Sequence, residues 1–126
     1  MKQLYDLTNP QKSIWLTEQF YNGTSINNIC GNVFIKEKVN FDKLKQAINI
    51  FVQKNDSMRI KIVSQNGETK QFIADYEAFE LTKVDSLSLK DMEKIADEIV
   101  SIPFNIIDNF LFKFTLFCLP DGTGRI

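Results

Sequence analysis

The chain contains no histidine, which bounds its chemistry more tightly than any residue it does contain. Without an imidazole there is no Ser–His or Cys–His nucleophile pair, and the commonest general base is missing. A histidine-ligated metal is excluded for the same reason. The only cysteines, Cys30 and Cys118, are too few for a thiolate zinc site and read as small core hydrophobes in a reducing compartment. Of the aspartates, Asp6, Asp56, Asp75, Asp85, Asp108 and Asp121 offer carboxylates outside the long helices, but none has a partner at a spacing suited to acid/base work, so each reads as solvated surface. Asp121-Gly122-Thr123-Gly124 has glycines where a phosphate loop has them. It lacks the lysine and the following helix that such a cradle requires, and reads as a turn. Trp15, Phe20 and Tyr21 would make an aromatic box only if they met, and helical spacing assigns them to packing instead. Arg59, taken by itself, is a solvated arginine at the start of a strand. No catalytic residue and no metal ligand is therefore expected.

The elements that carry these residues are legible from periodicity. Pro10 to Phe20 is expected as a short helix, capped by Thr8 or Asn9 and ended by Asn22-Gly23, with Ile14, Trp15 and Phe20 toward the core. Asn28 to Val39 reads as a strand with Ile29, Gly31, Val33 and Ile35 on one face. Phe41 to Lys54 is the clearest helix, with Asn40 as its cap and Phe41, Leu44, Ile48, Phe51 and Val52 as its apolar stripe. Arg59 to Ser64 and Glu68 to Ile73 are expected to pair through Asn66-Gly67, the strongest short hairpin signal. Phe79 to Val84 is a further strand. Ser88 opens a second long helix with Leu89, Met92, Ile95, Ala96 and Ile99 inward, and Pro103 stops it. Phe110 to Leu119 reads as a strand buried on both faces, and Arg125-Ile126 as the first step of another.

Composition agrees with one folded unit over residues 1–126. Hydrophobic residues are 44% and charged residues 25% of the 126, and eleven are Phe, which suits a packed, aromatic-rich interior. A net charge of -1 gives no basic field for nucleic acid. No apolar run nears the ~18 residues of a membrane span, and the first residues lack the apolar core of a signal peptide. The expectation is a cytoplasmic protein that binds neither nucleic acid nor membrane.

Three segments resemble condensation domains of nonribosomal peptide synthetases, in the superfamily that shares the chloramphenicol acetyltransferase fold. In Leu7-Thr8-Asn9-Pro10-Gln11-Lys12-Ser13-Ile14-Trp15-Leu16, the residues Thr8, Gln11, Trp15 and Leu16 fit that family's opening motif, and Ser13 stands where it usually has Arg. Lys54-Asn55-Asp56-Ser57-Met58-Arg59-Ile60-Lys61-Ile62 follows a long amphipathic helix as the family's Arg-His-Glu-x-Leu-Arg-Thr-x-Phe does. Arg59 falls on the second Arg of that pattern and Asp56 keeps its carboxylate. Ile102-Pro103-Phe104-Asn105, with the Phe-rich stretch after it and the Asp121-Gly122-Thr123-Gly124 turn, is similar to the family's Pro-Phe-Asp segment, strand and turn.

The resemblance implies an α+β fold, the N-terminal part of a chloramphenicol acetyltransferase-like lobe with a largely antiparallel sheet and two long helices. It implies a piece that ends before the family's His-His-x-x-x-Asp-Gly motif and is inactive alone. The parent would form amide bonds between aminoacyl or peptidyl thioesters on carrier-protein partners. Phosphopantetheine would sit on those partners, with no cofactor on this chain. Arg59 would brace the active site by pairing with the Asp of the absent motif. Lacking that partner, it would swing to water or find another carboxylate. An exposed strand edge would favour homo-oligomers. The alternatives are a small non-catalytic binding module, or the same lobe of an epimerisation or heterocyclisation domain.

Overall fold

Asn66 and Gly67 both take positive φ, 53° and 78°, as a two-residue hairpin turn with the twist of its flanking strands requires. In the computed structural model, which describes residues 2–86 and 88–126, this turn joins β3 (Ile60–Gln65) to β4 (Glu68–Ile73) in the register Gln65 opposite Glu68 through Ile60 opposite Ile73. β1 (Tyr5–Asp6) pairs on the far side of β4, giving the antiparallel order β1-β4-β3.

That register sets Asp6 opposite Lys70, whose ammonium lies 2.6 Å from Asp6 and 2.9 Å from Glu68. The hydrogen bond from Lys70, and then its charge, hold the Asp6 carboxyl below its ordinary 3.8. The Asp6 bond likewise pushes Lys70 upward. A depressed carboxyl stabilises the fold fully above its unfolded pKa, near 3.9, and that contribution is lost as pH falls through the folded value. Because the pair faces water, its contribution is small. In a carboxyl NMR titration Asp6 should turn over below 3.8, and Lys70→Met should return it to the ordinary value.

A second sheet has the order β2-β7-β6-β5, built from β2 (Phe34–Ile35), β5 (Thr82–Asp85), β6 (Thr115–Cys118) and β7 (Gly124–Arg125). Its β5–β6 pair is parallel. Parallel neighbours need a long crossover, and α3 (Leu89–Val100) supplies it. The other pairings in both sheets are antiparallel, so the expected largely antiparallel α+β architecture holds, divided between two sheets. α1 (Asn9–Phe20) and α2 (Phe41–Lys54) complete the fold. No helix among the described residues is long and apolar enough to cross a membrane.

The core lies between α2 and the second sheet. Ile48 and Val52 of α2 meet Leu81 and Leu116, with Phe79, Phe112 and Phe114 packed alongside. The Phe79 ring sits 5.3 Å from Phe112 and 5.7 Å, edge-on, from Phe114, the offset geometries that aromatic quadrupoles favour. The Asp121 carboxylate accepts from the Thr123 N–H at 2.9 Å and hydroxyl at 2.6 Å, which makes the Gly-containing segment a turn as expected. Gly124 follows because nothing larger fits: a Cβ there would stand 2.7 Å from the Phe117 carbonyl oxygen and 3.1 Å from a Val39 methyl. Gly124→Ala should cost about 1–3 kcal/mol in urea unfolding, since backbone cannot yield as a side chain does.

Several expectations fail in one direction: apolar residues assigned to the core lie outside it. The Asn28–Val39 strand shrinks to Phe34–Ile35, with Ile29 99% and Val33 64% exposed, because only Val33 to Ile35 have a backbone partner in β7 and Ile126. The Phe110–Leu119 strand shrinks to Thr115–Cys118. Its two-faced burial holds at Leu116 and Phe117 but not at Leu111. The Phe79–Val84 strand becomes Thr82–Asp85. Ile14, Phe20, Phe51 and Leu89 are exposed, and α1 buries none of its residues. Cys30 is exposed and Cys118 half-buried, so only the second thiol packs against the core.

Candidate functional site

Thr8 and Gln11 form a complete capping box. The Gln11 N–H donates to Thr8 Oγ1 at 3.4 Å, and Gln11 Oε1 accepts from the Thr8 N–H at 2.8 Å, which satisfies orphan donors at the start of α1. Gln11 then reaches across to β4. Its Nε2 donates to Gln71 Oε1 at 2.7 Å, and Gln71 Nε2 donates back at 3.1 Å and to the Asp6 carbonyl at 2.9 Å. The opening motif thus fixes α1 against the first sheet through an amide pair that a carboxylate or hydroxyl cannot copy. Trp15, one turn on, is half-buried, while Leu16 points to solvent at 58% exposure. Among the described residues no ring contact joins Trp15, Phe20 and Tyr21.

Arg59 closes a short 3-10 turn, Asp56–Arg59, between α2 and β3. Its guanidinium is mostly buried, at 13% side-chain exposure, and meets Asp56 at 2.5 Å. Nε donates to the Ala74 carbonyl at 3.1 Å, and Nη1 donates to the carbonyls of Val52, at 3.5 Å, and Gln53. Those last two carbonyls belong to the final turn of α2, where helical partners run out and a cation is favoured. The carboxylate beside the guanidinium is that of Asp56, from the same turn, and Arg59 is not the solvated arginine that the residue suggests when taken by itself. Of the other candidate carboxylates, Asp6, Asp75, Asp85, Asp108 and Asp121 are exposed as expected.

The third segment is pinned to β3. Ile107 bridges Ile62, and the Asp108 N–H donates to the Ile62 carbonyl at 2.8 Å. The Lys61 ammonium lies 4.7 Å over the Phe110 ring. The three segments singled out in the sequence consequently meet around one apolar hollow of about 280 Å³. The first contributes Gln11, Ile14 and Trp15, the second Ser57, Met58, Ile60 and Ile62, and the third Ile106, Leu111 and Phe112. Among the described residues no group of three His, Cys, Asp or Glu is placed to hold a metal.

Two anchoring residues carry no signal in the sequence. Asn49, on the face of α2 that periodicity assigns to water, accepts from the Phe79 N–H at 2.7 Å and the Tyr76 hydroxyl at 2.8 Å, and donates to the carbonyls of Lys45 and Phe79. Asn28 donates to the carbonyls of Val100 and Ile102 at the end of α3. Both are asparagines whose role depends on a loop that returns from far along the chain.

The condensation-domain family model matches residues 1–123. The chain belongs to the condensation-domain family. Surfactin synthase subunit 1 of Bacillus subtilis (strain 168) is 32% identical over 125 residues, spanning 94% of this chain and 4% of that protein. Bacitracin synthase 2 of Bacillus licheniformis is 28% identical over 92 residues, 71% of this chain and 4% of its own. The first condensation domain of the CDA synthetase superposes with a TM-score of 0.89 at 14% identity, covering 99% of this chain and 34% of that structure. The starter condensation domain of the rhizomide synthetase gives 0.79 at 21% identity, covering 98% and 31%. The chain therefore has the fold of about one third of a condensation domain, part of a chloramphenicol acetyltransferase-like lobe as the sequence implies, and spans a small share of the curated relatives it matches.

Proposed function

We propose that this chain serves as the N-terminal part of a nonribosomal peptide synthetase condensation domain, whose reaction joins an amine to a carrier-bound thioester. The observation that carries the reading is the convergence of the three motif segments on one hollow, within a chain the family model matches almost end to end. The reaction must orient the amine and stabilise a tetrahedral oxyanion. With no histidine, this chain positions and supports; it does not manage the proton. Arg59 is the brace, set where the end of α2, the 3-10 turn and Ala74, just past β4, meet. The partners are carrier domains bearing phosphopantetheine arms and the rest of a synthetase, in the cytoplasm. The exposed Ile29, Phe20 and Val33 favour self-association of the isolated chain, read as a rise in mass with concentration by light scattering.

The test is a chimaera. Exchanging the matched third of the CDA synthetase condensation domain for this chain should retain amide formation between two carrier-bound substrates, and the 126-residue chain alone should give none. A folded but inactive chimaera, or amide formation by the chain alone, would overturn the reading.

A further inference from the structure

The hollow that the three segments enclose has walls of unequal strength. β3 is laddered to β4 along its whole length. The 3-10 turn is tied down by Arg59, and the third segment is pinned to β3 by the Asp108 N–H. The remaining wall is α1, which contributes Gln11, Ile14 and Trp15 and buries none of its residues. Of its large apolar side chains, Ile14, Leu16 and Phe20 are exposed, and Trp15 is half-buried. α2, by contrast, sinks Ile48 and Val52 into the core.

What holds α1 down is polar and sits at its two ends. At the first turn, the Gln11 and Gln71 amides exchange hydrogen bonds at 2.7 and 3.1 Å. At the last turn, Glu18 accepts from Asn27 Nδ2 at 2.7 Å. The next residue, Asn28, donates to the Val100 and Ile102 carbonyls at 2.7 and 3.0 Å, which ties the segment after α1 to the end of α3. A helix of twelve residues is marginal by itself in water, so α1 keeps its shape only while docked, and undocking and melting are one event. An element with so little buried apolar surface belongs at the low end of local stability.

We propose that α1 is a strap across the hollow, latched by the Gln11–Gln71 pair at one end and by Asn28 at the other, which lifts as a unit while the core stays closed. With the strap lifted, Met58, Ile62 and Phe112 form an apolar floor open on the side that α1 covered. The inference rests on how α1 is held and is independent of the proposed reaction.

The experiment follows residue-resolved amide exchange in the 126-residue chain and three variants. In the parent chain, the amides of residues 13–20 should share one opening constant, larger by roughly tenfold or more than that of residues 48–54 in α2, as a separate unit of low stability does. Gln71→Leu and Asn28→Ala should each raise the α1 constant by roughly three- to tenfold, uniformly along the helix, the scale of a lost net hydrogen bond. Ile48→Val should raise the α2 constant by roughly fivefold, as a deleted core methyl does, and leave the α1 constant where it is, because Ile48 stays packed when the strap lifts. A constant that differs from turn to turn, a latch variant that speeds only the turn beside it, or an α1 that follows Ile48→Val as α2 does, overturns the strap.

Discussion

Arg59→Ala should destabilise the fold by about 2–4 kcal/mol, the largest effect expected of any charged residue in the chain. Hydrogen bonds that involve a charged group contribute about 1.5–3 kcal/mol each, and this side chain makes four contacts from a mostly buried position. Its loss frees the Val52 and Gln53 carbonyls at the end of α2 and unties Ala74, just past β4, in one step. The Coulomb attraction to Asp56 is the smaller part, because that carboxylate is 67% exposed and exposed pairs contribute less than about 1 kcal/mol. Asp56→Asn should therefore be mild. Arg59→Lys should recover less than half of the loss, since an ammonium cannot present the planar fork that reaches three carbonyls at once. Urea midpoints with an unchanged m-value would establish the order. If Asp56→Asn proves as damaging as Arg59→Ala, the ion pair, and not the helix end, is what Arg59 serves.

These contacts use four of the five guanidinium N–H groups, so the local role of Arg59 and the proposed brace are compatible. One donor remains for a carboxylate supplied by the rest of a condensation domain. The brace would then be held rigid by α2 before any such partner arrives.

How far the sequence could be read depended on where each residue finds its partner. The bounds and cap of α2 were legible to the residue, because they lie within fifteen positions of one another, although Phe51 of its expected stripe is exposed. The β3–β4 hairpin was legible because its turn is local. α3 was legible from Ser88 to its end near Pro103, and the family from three short segments whose order matched. What failed were judgements that needed a distant neighbour. A strand is defined by the strand beside it, so the alternation of Ile29, Gly31, Val33 and Ile35 states a competence to pair without saying whether pairing occurs. Gln71 and Asn49 were missed for the same reason. An amide on a polar face looks solvated until the Gln11 helix or the Phe79 loop is laid against it.

That contrast gives the second large effect. Leu116→Ala should cost about 3–5 kcal/mol, because Leu116 is fully buried against Ile48, Val52 and Leu81 and a packed interior closes only partly over the void left by a truncated leucine. Ile29→Ser, on the same face of the same sheet by alternation, should change stability by less than about 0.5 kcal/mol, as surface substitutions do, since Ile29 is 99% exposed. Urea midpoints of the two variants would check the contrast, and a loss at Ile29 as large as that at Leu116 would mean that residues 28–33 pack against the sheet beyond Phe34–Ile35.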